Sequence, residues 1–125
     1  MQQQATQAYQ QTAKISASPI ELEAQLLTKA ASKLIHIQKN WVGSEKELYP
    51  ALTYNRKLWS VFLSSVATED NLLPKEIKEN IANLGLFVLN HSMRVQTAPS
   101  AQKLDVLINI NREVAAGLRA KTPKG

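Results

Sequence analysis

Cysteine is absent from the chain, which excludes a disulfide framework, a thiolate zinc site and a cysteine nucleophile. Glycine is scarce, with four residues in 125 and no Asn-Gly or Asp-Gly pair. A hairpin-rich β fold would therefore lack its usual turns. No apolar run approaches the ~18 residues that a membrane-spanning helix requires. The chain also has no phosphate-cradling glycine loop, no nucleophile elbow and no His-Glu-x-x-His pair. His36 and His91 are the only imidazoles; they are distant in sequence and have no carboxylate companions to complete a metal site. Glu45, Glu47, Glu69 and Asp70 read as capping and loop residues, not as a paired acid and base. The expectation is a protein without catalytic activity, metal, cofactor or small-molecule substrate. The opening MQQQATQAYQQ has neither the basic start nor the apolar segment of a secretory signal, so a cytoplasmic location is expected.

Apolar residues make up 44% of the sequence and charged residues 20%, proportions of an ordinary globular domain with one core. The net charge of +5 is unevenly spread. Residues 1–97 hold ten basic and eight acidic groups (+2), and residues 98–125 hold five and two (+3). Lys103, Arg112, Arg119, Lys121 and Lys124 thus form a mild basic tail. It reads first as a solvated helix end whose cations complement the helix dipole, and second as a contact for RNA or an acidic partner.

Helical periodicity organises the rest. Leu48, Leu52, Asn55, Trp59, Phe62 and Val66 are spaced four, three, four, three and four apart, one continuous seam on a helix. Ile77, Ile81, Leu84, Val88, His91 and Val95 repeat that spacing. Leu104, Leu107, Asn111, Val114 and Leu118 form a third seam, broadened by Ile108, Ile110 and Ala115. A further helix starts at Ser18-Pro19-Ile20-Glu21, where Ser18 caps, Pro19 fits the first position and Glu21 completes a capping box. It runs to about Asn40, with a stripe of Ile20, Ala24, Leu27, Ala31 and Leu34 widened by Leu26, Ile35, Ile37 and Trp41. Pro50 would remove an interior helical bond, so the central helix is expected to begin near Tyr49 or Pro50 after a short turn at 45–49. Ser44 and Glu47 offer a second capping box. Pro74 is expected at the first position of the next helix, and Gly85, inside that helix, marks a close helix approach. The fold class is all-α, a single-domain bundle of about four main helices plus a short N-terminal helix. Residues 1–17 form a loosely attached segment, 18–120 the bundle and 121–125 a frayed tail.

Each of the three best seams carries one polar residue, Asn55, His91 or Asn111. Burying such a group without a partner costs ~1–3 kcal/mol, so these three should bond to one another or to backbone carbonyls and fix helix register. The stripe at 19–40 is wider than one neighbour requires. Leu26, Ala30, Ile37 and Trp41 are therefore the candidate partner-binding residues, with Tyr9 expected to hold the N-terminal segment over them as a displaceable cover.

Several pieces of the chain, in order, resemble the FlaF family of flagellar biosynthesis regulators. They are Ala8-Tyr9, Ser18-Pro19 with Glu21 and Glu23, Asn55-Arg56-Lys57-Leu58-Trp59, and Leu73-Pro74. The segment Leu84 to His91, Leu107 to Arg112 and Gly117-Leu118 complete the set. A shorter likeness, Ala8-Tyr9-Gln10-Gln11 and Ala17-Ser18-Pro19 with Glu21-Leu22, is similar to the start of the FliS flagellin export chaperones. The FlaF resemblance implies a requirement for flagellin synthesis or secretion, acting with the translational regulator FlbT. Asn55, Arg56, Leu58, Trp59, Pro74, His91, Asn111 and Arg112 are its motif residues, expected to be structural. Two functions follow from it: a chaperone or adaptor that binds flagellin before export, or a regulator of flagellin messenger RNA acting directly or through FlbT.

Overall fold

A computed structural model describes residues 18–121, so the expected N-terminal helix, the Tyr9 cover and the end of the tail lie outside the described residues. Four helices follow in order: α1 (Pro19–Lys39), α2 (Glu45–Val66), α3 (Lys75–Thr97) and α4 (Leu104–Lys121). A 3-10 turn, Ala101–Lys103, leads into α4. No strand occurs among the described residues, and the fold is the all-α bundle that the periodicity predicts.

Local chemistry sets most boundaries. Ser18 Oγ accepts from Glu21 N at 3.1 Å, and Pro19 opens α1. The Glu21 carboxylate accepts from Arg119 Nε of α4 at 3.1 Å, so the glutamate half of the expected capping box serves a contact between helices. Asn40 closes α1 through its N–H on the His36 carbonyl. Gly43, at φ 95°, supplies the left-handed residue that the turn into α2 requires.

Three expectations need correction. The central helix begins at Glu45, and Pro50 lies inside it. The bond lost there belongs to the Lys46 carbonyl, and both Lys46 and Pro50 are exposed, so water can satisfy the freed acceptor. Ser44 makes no side-chain cap; its hydroxyl instead donates to the Asn40 carbonyl. Pro74 occupies the N-cap of α3 with extended backbone, one position ahead of its expected place, and its carbonyl accepts from Lys78 N at 3.0 Å.

The helices run alternately up and down. Gln38 near the end of α1 donates to the Ala101 carbonyl at 2.9 Å and to Asp105 at the start of α4. Arg119 near the end of α4 reaches back to Glu21. The bundle consists of two closely packed pairs, α1 with α4 and α2 with α3. Small core residues, Ala24 and Ala31 on α1 and Ala115 on α4, allow the first close approach. Gly85 allows the second: a Cβ there would meet Leu63 Cδ2 at 2.6 Å, which explains a glycine inside a helix despite its ~1 kcal/mol penalty. Between the pairs lies a core built on Leu27, Leu34, Leu52, Trp59, Val88, Val95, Leu104, Leu107 and Leu118. Trp59 meets Phe62 edge to face at 5.8 Å.

Candidate functional site

The polar residues of the seams decide whether the motif positions are structural. Asn55 on α2 and Asn111 on α4 are fully buried. Asn111 Nδ2 donates to Asn55 Oδ1 at 2.7 Å, and Asn111 Oδ1 accepts from Trp59 Nε1 at 2.8 Å. One amide thus ties two helices of different pairs together and satisfies the indole. Asn55 Nδ2 is buried without a partner. His91 does not join this chain; half-buried, it sets Nε2 2.7 Å from the Lys103 carbonyl and stacks on Phe87 with centroids 5.3 Å apart. It ties α3 to the 3-10 turn, a backbone contact of the kind expected. All three polar seam residues are therefore consumed inside the fold.

Two surface concavities flank α2. One, of about 420 Å³, is lined by Trp41, Leu48, Tyr49 and Leu52 and closed by Gln96 and Pro99. The other, of about 590 Å³, lies between α1 and α2 and carries Lys29, Lys33, His36 and Lys46 around Ile37 and Ala51. Lys33 Nζ stands 5.1 Å from the Tyr54 ring centre. At the opposite end of the bundle, burial pushes the Glu23 carboxyl above its ordinary range.

Apart from these concavities, α3 carries an outer apolar strip. Ala82, Leu86, Leu89 and Met93 repeat at four, three and four, a second seam on a helix whose first seam is in the core. Leu86 is 61% and Met93 59% exposed, with Ala82 and Leu89 half-buried beside them. Across from this strip, Tyr49, Arg56 and Leu63 are seven apart on the side of α2 that packs on α3. Leu63 sits against Gly85 at one end of that line, and Tyr49 shares the cavity with Gln96 at the other. Arg56 lies midway, half-buried. Its Nη2 donates to Thr53 Oγ1 at 3.3 Å, while its Nε is buried with no acceptor.

Compared with protein-family models, the sequence matches that of the flagellar protein FlaF over residues 5–118. The chain belongs to the FlaF family. No curated protein and no solved structure matches it, and the shorter likeness to the FliS chaperones is not shown. Membership makes this a flagellar protein tied to flagellin regulation. Among the described residues, no helix is long and apolar enough to cross a membrane.

With the family in place, its motif residues divide cleanly. Asn55, Trp59, His91 and Asn111 bond within the bundle, Leu58 packs against the core and Pro74 heads α3. Arg112 is exposed, and nothing in the structure explains it. Asn55 and Arg56 each keep an unmet donor, but Asn55 is tied into the core through its Oδ1, whereas Arg56 is charged and bonds only to Thr53 of its own helix. The predicted partner-binding set does not form one patch. Ile37 belongs to the core and Ala30 is buried, because α1 has both α4 and α2 as neighbours and its wide stripe is used within the fold. Leu26 and Trp41 remain half-exposed, and of these Trp41 lines the apolar cavity. Sequence reading missed the outer strip of α3. Its signal, the second four-three-four repeat through Leu86, Leu89 and Met93, was hidden beneath the stronger core seam of the same helix.

Proposed function

We propose that the chain is a non-enzymatic adaptor that binds flagellin in the cytoplasm before export. The observation that supports this reading is the exposed apolar strip of Leu86 and Met93 on α3, together with the apolar cavity of Trp41 and Tyr49, on a member of a flagellar family. Exposed apolar area of this length is what an amphipathic helix needs, with anchors every three or four residues. The ends of a flagellin subunit, amphipathic and unfolded before assembly, are suitable occupants.

A second reading rests on a different surface. Lys29, Lys33 and Lys46 line the groove between α1 and α2 with Glu47 as the acid among them, a net cationic site that suits a phosphate backbone or an acidic protein. It supports post-transcriptional control of flagellin messenger RNA, direct or through FlbT. The core positions of Trp59 and Phe62 count against direct sequence-specific recognition, which uses exposed stacking platforms. Pull-down of the full chain from cytosol, with flagellin, FlbT and RNA each scored before and after nuclease, separates the two. Nuclease-resistant recovery of flagellin supports the adaptor; recovery of RNA alone, lost on nuclease treatment, supports the regulator.

A further inference from the structure

Arg56 is an arginine without a counterion. The ion pairs among the described residues are Arg119 with Glu21, Lys75 with Glu79 and, when the imidazole is charged, His36 with Glu47; none of them involves Arg56. Its head is held by Thr53 and its Nε is enclosed with no acceptor. A buried donor left unmet is uncommon and calls for an explanation, and a half-buried guanidinium gains more from a carboxylate than one in open water. Its position supplies the explanation. On α2 it lies seven residues from Leu63, which sits against Gly85 of α3, and seven from Tyr49, which lines the Trp41 cavity.

We propose that Arg56 is the specificity contact of the α2–α3 face, reading one carboxylate on a docking amphipathic helix. The inference rests on the adaptor reading above and adds what that helix must carry. It has apolar side chains that cover Leu86 and Met93, another that enters the cavity of Trp41 and Tyr49, and an Asp or Glu between them opposite Arg56. The apolar contacts supply affinity, and the charge pair fixes register along the strip, since a one-turn slip would leave the carboxylate facing apolar surface. An apolar helix lacking the acid leaves the guanidinium desolvated and unpaired, and is rejected for that reason.

The test is calorimetric titration of the full chain with purified monomeric flagellin at several salt concentrations, with folding of every variant checked by thermal denaturation. Met93→Glu, at an exposed position, and Arg56→Gln should each weaken binding about tenfold or more. Arg56→Gln should also flatten the salt dependence, and Arg56→Lys should keep that dependence while recovering part of the affinity. Val61→Glu, equally exposed but on the far side of α2, should bind as the unaltered chain does. An Arg56→Gln variant with unchanged affinity and salt slope overturns the inference even if its melting temperature falls, since a purely structural arginine predicts that outcome. Binding by the unaltered chain that survives both substitutions also overturns it while leaving the adaptor reading intact. No binding of flagellin by the unaltered chain overturns the adaptor reading, and this inference with it.

Discussion

The two buried asparagines should respond differently to the same substitution. Asn111 serves two neighbours, accepting from Trp59 Nε1 and donating to Asn55 Oδ1, whereas Asn55 already holds an unpartnered Nδ2. Asn111→Leu, close in volume, would leave Trp59 Nε1 and Asn55 Oδ1 newly orphaned in a site with no solvent access. At ~1–3 kcal/mol for each orphaned group, the expected loss is ~2–5 kcal/mol. That is a large share of the ~5–15 kcal/mol a domain possesses. Asn55→Leu orphans one donor, Asn111 Nδ2, but removes another that was unmet from the start. Its net change should stay within about 1 kcal/mol, because one unmet donor replaces another. Urea denaturation followed by far-ultraviolet circular dichroism measures both, read as midpoint shifts at constant slope. Equal losses for the two variants, or a larger one for Asn55→Leu, would refute the hydrogen-bond accounting.

Other consequences are simpler. Gly85→Leu should destabilise the bundle by ~1–3 kcal/mol through overpacking on Leu63, and adding Leu63→Ala should restore part of the loss in thermal denaturation; no recovery would place the strain elsewhere. Trp59→Ala should cost ~3–5 kcal/mol, as for other buried aromatic residues, and an unchanged melting midpoint would contradict its core role. Glu23 is raised by desolvation, so the folded state holds its proton more tightly than the unfolded chain does, and this residue's contribution favours folding more as pH falls. Glu23→Gln should therefore be as stable as the parent or more so at neutral pH, with the difference shrinking as pH drops through the folded value towards the ordinary glutamate value of 4.5. A gap that widens on acidification would show the sign to be wrong.

The core was legible in the sequence because a seam at four-three spacing has one physical use, burial against neighbouring helices. Asn55 and Asn111 could be placed there for the same reason, since apolar neighbours one turn away on either side carry them inward. Boundaries shifted where a local rule met a local exception. Pro50 reads as a helix breaker only if its lost bond faces the interior, and sequence does not say which way the Lys46 carbonyl points. The candidate surface was harder to read. Apolar residues at Ala30 and Ile37 look like spare surface until the number of neighbours of α1 is known. Leu86 and Met93 look like extra core until α3 is seen to have no neighbour on that side among the described residues. Arg56, charged and beside a seam, gave no sign that it would lack a partner.

On the adaptor reading, flagellin itself is what this chain holds. Titration of the full chain with purified monomeric flagellin, in the presence of nuclease and in the absence of FlbT, tests it most directly. The expected result is a saturable heat of binding that needs neither RNA nor a second protein. Heat only when flagellin messenger RNA or FlbT is supplied in place of flagellin would contradict it.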